Sequence, residues 1–302
     1  MQLAFRNIYI ENPAKLSIKN RQLVIQQEEN YTVPVDDIQS VMIETRQCSI
    51  TVPTLSFLAQ NQVALFTCDE QHLPCSVLLP LGNHSRKLQT LYYQVHLAKR
   101  TKNRIWKKII QQKIRNQAHC LSLNGKKHVE KLLDLAAKVE EGDRTFCESQ
   151  AAQIYFLELF GEGFNRRHDH VQNGALNYGY SILRGVLARD ICAYGLEPAF
   201  GVFHHNELNS FNLADDLIEP FRPYVDLWVA KNVYPEDLIV TSKIKRELFS
   251  LLFTRVPVED EYHSLANALK KTTSSFTSCC KNNRATLLKL PELMILKPHE
   301  YE

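Results

Sequence analysis

The sequence has no apolar run approaching the roughly 20 residues that cross a bilayer, which argues against a helical membrane span. Its N-terminus, MQLAFRNIYIENP, carries Arg6 and Glu11 in or beside its apolar residues and so lacks the pattern of a signal peptide. The eight cysteines form no C-x-x-C pair, which removes the spacing expected of a zinc cage or a disulfide framework. Free thiols in a cytoplasmic protein are the simplest account. No internal repeat of fixed period is present. One sign of charge is also missing over a long stretch. From Gln71 to Val129 there is no Asp or Glu, yet Arg86, Lys87, Lys99, Arg100, Lys102, Arg104, Lys107, Lys108, Lys113, Arg115, Lys126 and Lys127 all fall there. Solvated helix faces usually mix signs, so this segment points to a polyanion partner. The net charge of +3 hides that asymmetry.

What is present is ordinary for a soluble globular chain, with 44% apolar and 23% charged residues. A length of 302 residues gives a prior of two domains. Short β-branched and aromatic runs occur at Phe5–Ile10, Leu16–Ile18, Gln22–Ile25, Tyr31–Val35 and Ile38–Ile43, separated by Asn-Pro, Lys-Asn and Asp-Asp turn signals. Thr51–Gln60 reads as a short helix with Pro53 in its first turn, and strands follow at Val63–Cys68 and Cys75–Leu79. This predicts a small β domain over residues 1–80 and a linker at 81–84.

Beyond it the apolar period becomes helical. Leu88, Leu91, Tyr92, Val95 and Ala98 recur at 3–4 spacing, as do Ile105, Trp106, Ile109, Ile110 and Ile114. Further helices are expected at Val129–Val139, Phe146–Phe160, Gly174–Ala193, Ala214–Glu219, Pro223–Lys231, Pro235–Leu252 and Val258–Lys271. An all-α domain over 85–275 and an irregular tail over 276–302 complete the expected α+β organisation.

Chemistry concentrates in Gly201–Pro223, GVFHHNELNSFNLADDLIEPFRP. His204 and His205 lie on a loop-like run, and Asp216 and Glu219 stand at i and i+3 on one helical face. Pro220 biases Glu219 out of the helical region and marks a helix end. Alone, this pattern is equally an ordinary polar loop beside a solvated face. Two more segments matter. Glu148 heads the helix CESQAAQIYFLELFG, where an acid is also favoured simply by the helix dipole. Asn173–Arg184, NGALNYGYSILR, is a glycine-thinned helix bearing Asn177 and Tyr178.

Taken in order, E-x-x-A-A-x-x-Y-F, N-x-x-L-N-Y-G-Y-x-x-L and G-V-F-H-H…D-L-I-E-P-F-R-P resemble the endonuclease and integrase of the CRISPR spacer-acquisition complex, the first-numbered Cas protein. The phrase HHNELNSFNL resembles members from systems with a single large effector nuclease. The resemblance implies a β-sandwich-like N-terminal domain and a helical catalytic domain. It also implies a Mg²⁺ or Mn²⁺ site formed by Glu148, His204 and Glu219, with Asp216 a nearby acid. A G-x-x-H pattern matches Gly201 and His204; His205 stays open as the alternative ligand, and Asp216 as the alternative to Glu219. Such a donor set suits Mn²⁺ and tolerates Mg²⁺. In this reading Asn177 and Tyr178 orient the phosphate, while Arg222 supports the site or forms an ion pair with Glu219 or Asp216.

Arg86, Lys99, Arg100, Lys102, Arg104, Lys107 and Lys108 are expected to hold the backbone of double-stranded DNA, both spacer precursor and repeat array. The implied partners are a second copy of the chain, paired through the β domain, and a dimer of the small second-numbered Cas protein. The acid-richer C-terminal half and Leu287–Glu302 are the candidate docking surfaces for that partner. A DNA-binding scaffold without chemistry is the contrasting reading, and an RNA-directed nuclease a third.

Overall fold

Alternating apolar residues near the N-terminus fold as β1 (Arg6–Ile10), β2 (Ala14–Lys19), β3 (Gln22–Gln26), β4 (Asn30–Pro34), β5 (Ile38–Ile43) and β6 (Cys48–Ile50). Then come α1 (Val52–Gln60), β7 (Ala64–Cys68) and β8 (Pro74–Val77). The structure is a computed structural model that describes residues 6–80 and 86–300. The expected linker at 81–84 lies outside the described residues. The strands form two four-stranded sheets, ordered β1-β5-β7-β8 and β4-β3-β2-β6. The first is parallel through β1, β5 and β7; β6, which sequence periodicity did not mark, joins the second parallel to β2.

β5 explains how this region meets the rest. Its sequence, IQSVMI, carries no exposed residue, as a central strand covered on both faces requires. Val41, Ile43 and Leu65 turn toward the other sheet and Leu58 of α1, forming one core. Met42, Ala64 and Phe66 turn the opposite way, into the core of the helices.

Those helices are α2 (Lys87–Val95), α3 (Lys99–Leu123), α4 (Val129–Lys138), α5 (Cys147–Phe160), α6 (Val171–Ala193), α7 (Asn212–Ile218), α8 (Arg222–Asn232) and α9 (Ser242–Ser250). A hairpin, β9 (Arg255–Val258) and β10 (Glu261–Ser264), precedes α10 (Leu265–Asn282). Among the described residues, no helix is long and apolar enough to cross a membrane. α6 lies directly on the first sheet, because Gly185 leaves room for the Phe66 ring where any Cβ would collide with it. Arg189 Nη1 donates to the Gln62 carbonyl at 2.9 Å across the same boundary.

Three expectations need correction. The helix expected over Pro235–Leu252 is confined to Ser242–Ser250, started by Thr241, whose hydroxyl accepts from Ile244 N. The helix expected over Val258–Lys271 is the β9–β10 hairpin followed by α10, capped by Ser264. α10 then runs through the supposed tail to Asn282, since Phe276, Cys279 and Cys280 bury one face while Thr273 and Thr277 satisfy their hydroxyls on carbonyls one turn back. The segment after it is not loose. Asn116 of α3 donates to Pro291 O and accepts from Leu293 N, each at 3.0 Å, fixing the chain across the helix.

Candidate active site

α3 supplies an unexpected centre. Ile109, Ile110 and Ile114 face the core, and Lys113 shares their phase, so its side chain is carried inward with only 11% exposure. A buried ammonium must be paired. Its Nζ lies 2.6 Å from Glu148 Oε1 and 2.6 Å from Glu219 Oε2. Burial opposes the charge on Lys113, but Glu219 and then Glu148 outweigh it and hold the pKa above the ordinary lysine value.

Each carboxylate is positioned by its own element. Asp143 accepts from Cys147 N and Glu148 N at 2.9 and 3.1 Å, fixing the first turn of α5 and thereby Glu148. Glu219 sits in a 3-10 turn between α7 and α8 with φ −52° and ψ −45°. That is helical backbone, so Pro220 does not expel Glu219 from the helical region. Asn116 Nδ2 holds the Pro220 carbonyl at 2.7 Å, and the two cations on the Glu219 carboxylate oppose any unwinding. Glu219 Oε1 accepts from Arg222 Nε at 3.0 Å. Oε2 is buried, touches the Lys113 ammonium, and makes no properly angled hydrogen bond. Burial works against the charge of Glu219, yet Arg222 and Lys113 hold its carboxyl well below the usual range.

Asp216 does different work from Glu219. It is fully buried and gathers the 202–204 loop: Val202 N, Phe203 N and His204 N donate to it at 2.5, 3.0 and 3.2 Å. His204 Nδ1 lies 2.6 Å from Asp216 Oδ1. Gly201 is required here, because a Cβ would meet the His204 carbonyl and the Asp216 carboxylate. With Nδ1 given to Asp216, the neutral imidazole presents Nε2 as its free lone pair. The Asp216 hydrogen bond raises the His204 pKa against desolvation, with Glu219 and Glu148 adding to the rise. Trp106 fixes the loop from below, stacking on Phe203 at 4.3 Å and meeting His204 edge-on at 5.7 Å.

The structure therefore brings Glu148 and Glu219 to one cation and turns His204 toward their field. His205 is exposed and takes no part in this network. Asp216 is spent on the loop. Tyr178 is a correction: it is fully buried, and burial together with Tyr9 pushes its phenol far up, so it cannot meet a phosphate. Asn177 is exposed and accepts from Arg166 Nη2 at 2.7 Å. Lys113, Trp106 and Asn116 were not marked by the motifs. Their signal is phase, a lysine and an asparagine on the apolar stripe of an otherwise basic helix.

Among the described residues, no three His, Cys, Asp or Glu side chains are gathered tightly enough to hold a metal ion. The donor chemistry nevertheless fits one. Two carboxylates already share a cation, and an imidazole oriented through Nδ1 lies within reach of their charge.

The basic face divides as well. Arg86, Lys99 and Arg100 are exposed, and Lys102 and Lys107 are partly so. Arg104 Nε is 2.8 Å from Glu141 Oε1. Lys108 belongs elsewhere: its Nζ donates to the Leu288 carbonyl at 2.8 Å, and burial lowers its pKa.

Comparison with known proteins bears on the family and the fold. The family model described as CRISPR associated protein Cas1 matches residues 8–241. A CRISPR-associated endonuclease Cas1 from Neisseria meningitidis serogroup C (strain 8013) is 42% identical over 305 residues, covering 99% of this chain and 100% of that one. The fold is similar to that of a casposase bound to integration product, with TM-score 0.73, 19% identity, and coverage of 92% of this chain and 91% of the other. It is also similar to a chain of a Cas6-RT-Cas1–Cas2 complex, with TM-score 0.73, 14% identity, and coverage of 97% of this chain and 37% of that longer one.

Proposed function

The chain belongs to the Cas1 family of CRISPR-associated proteins, and on that premise we propose that it is a divalent-metal-dependent DNA endonuclease and integrase that inserts short DNA fragments into a CRISPR repeat array. The observation that carries the metal-dependent reading is the convergence of Glu148 and Glu219 on one cation position beside a histidine held through Nδ1. Glu148, Glu219 and His204 Nε2 would hold Mg²⁺ or Mn²⁺. Such an ion would supply Lewis-acid polarisation of the scissile phosphate and would ease deprotonation of a water or 3′-hydroxyl.

In strand transfer, the 3′-oxygen of the fragment forms a bond to a phosphorus of the repeat strand. The attacking hydroxyl gives up its proton, the bond from that phosphorus to the repeat strand's own 3′-oxygen breaks, and the leaving oxygen takes up a proton, so none is gained or lost overall. The chain's residues prepare this exchange. Asp216 fixes the tautomer and direction of His204, Trp106 packs its loop, and Arg222 keeps Glu219 ionised and aimed. Arg86, Lys99, Arg100, Lys102 and Lys107 supply phosphate contacts that are independent of sequence. Arg104 joins them only by leaving Glu141. Lys108 does not take part.

Two joins on opposite strands need two sites, so the working unit is a homodimer. The open edge of β4, with Tyr31 half exposed, suits pairing with a second copy. A Cas2 dimer is the proposed spacer between sites, in keeping with the Cas1–Cas2 complex of similar fold. Incubating the protein with labelled duplex DNA and Mn²⁺, with and without the partner, is the test. Products should require the metal and vanish in Glu219→Gln. Unaltered joining by that variant would leave only a DNA-binding scaffold with chemistry from elsewhere.

A further inference from the structure

Lys113 sits where the metal reading puts an ion. Its ammonium touches one oxygen of Glu148 and one of Glu219, both at 2.6 Å. The helix does not leave this to chance: Ile109, Ile110 and Ile114 are all fully buried, so rotating α3 to free Lys113 would expose the stripe. A Mg²⁺ ion bound through these two oxygens would need them at about 2.0–2.1 Å, where an ammonium 2.6 Å from each already sits. Two positive groups in one low-dielectric pocket also repel strongly.

The local bonding favours exchange over coexistence. Arg222 holds Glu219 through Oε1, so Glu219 stays anchored when Oε2 changes partner. The Lys113 ammonium engages only Oε2 of that carboxylate, at 2.6 Å. A lysine is a compact point charge on a flexible stem, able to withdraw where a guanidinium fork would stay engaged.

We infer that Lys113 and the divalent ion exclude one another between Glu148 and Glu219, so that Lys113 sets the metal concentration at which the site loads. The inference rests on the metal reading of the same site and adds an internal competitor to it. Metal binding then includes the withdrawal of one ammonium, and the third donor, His204, completes the ligand set only after that withdrawal.

Calorimetric titration of the full chain with Mn²⁺ alone, without DNA, tests the exchange. Lys113→Met keeps the length of the side chain and removes the charge; with the like charge gone from the pocket, it should bind Mn²⁺ at least about tenfold more tightly than wild type. Equal or weaker binding by a folded Lys113→Met variant overturns the inference while leaving the metal site standing. Failure of both proteins to bind overturns the metal reading and the inference with it. A second measurement needs no variant. In ¹⁵N-lysine NMR spectra the buried Lys113 ammonium should give a signal protected from solvent exchange, and saturating Mg²⁺ should abolish that protection. Persistence of the signal beside a calorimetrically occupied site overturns the exchange even if Lys113→Met does not fold.

Discussion

The first half of α3 carries six of the helix's eight Lys and Arg, the second half two, and the charges of the two halves meet opposite fates. In the first turns Lys99 and Arg100 lie open to solvent, and Arg104 reaches only as far as Glu141 at the surface. Further along, Lys113 is carried into the core between Glu148 and Glu219, and Asn116 is fully buried beneath the C-terminal segment. The residue types would not predict this. Position relative to the isoleucine stripe decides which charge meets water and which must find a buried partner. Lys108 lies between the two cases: off the stripe, it is drawn down by the Leu288 carbonyl.

The largest expected effect breaks the buried half. Glu219→Gln removes the charge shared by Lys113 and Arg222, leaving both cations partly uncompensated. Stability should fall by about 3–5 kcal/mol, as when one partner of a buried pair is removed. DNA joining should fall by at least about a hundredfold, the upper range for disturbing even an outer partner of a metal ligand. Chemical denaturation and a joining assay read the two effects separately. Asp216→Asn should resemble it in metal affinity, falling by about 10–100-fold as His204 loses its orienting partner. If calorimetry instead finds Asp216→Asn worse than Glu219→Gln, the roles assigned to these acids are reversed.

Next is Asn116→Ala, on the same buried face. It strips partners from Pro220 O, Pro291 O and Leu293 N. With buried groups left unsatisfied, a loss of about 3 kcal/mol is expected in urea titration. Hydrogen exchange should rise around residues 288–293 before it rises elsewhere. Uniform exchange across the chain would show that this segment is not a separate attachment.

A pH effect of similar size lies one layer deeper. Asp226 accepts from Tyr155 at 2.9 Å and from Tyr180, and burial pushes it up to about 6 from 3.8. An acid raised on folding contributes its full stability below its unfolded pKa and loses it as pH rises through its folded pKa. Relative to Asp226→Asn, the wild type should therefore lose about 2–3 kcal/mol between roughly pH 4 and pH 7. Parallel stability curves for the two proteins would contradict the burial assigned to this carboxyl.

The smallest stability effect belongs to the exposed half. Replacing Lys99, Arg100 and Lys102 by Gln should move stability by no more than about 0.5 kcal/mol. The log–log salt slope of duplex binding should nonetheless flatten by about 0.9 for every DNA phosphate left without its cation. Lys108→Gln should leave that slope unchanged and cost about 1 kcal/mol through Leu288. An altered slope for Lys108 would erase the difference between the two halves of α3.

Much of this was legible in the residues. Short β-branched and aromatic runs between turn signals mark the strands from Arg6 to Ile43, and helical spacing marks α3 through α6, because both signals are set by local backbone geometry. Glu148, His204 and Glu219 were named from blocks that resemble a known family. The β6 strand was missed because a three-residue run has too little period to stand out. The β9–β10 hairpin is hidden in the sequence for a different reason: the apolar residues around Val258 fit either period over so short a span.

Residue order alone is enough for the periods, the acid-free basic stretch and the identity of the acids and histidines in the motifs, whereas the helix starts at Thr241 and Ser264 emerged only from the structure. Packing was needed before Asp216 could organise a loop while Glu219, one turn later, meets Lys113 and Arg222. It was packing, too, that turned Tyr178 inward, bound Lys108 to a carbonyl and laid the C-terminal segment over Asn116. These outcomes depend on partners distant in the chain. An ionisable group takes its role from burial and from the charges brought against it, and neither quantity exists until the helices have packed.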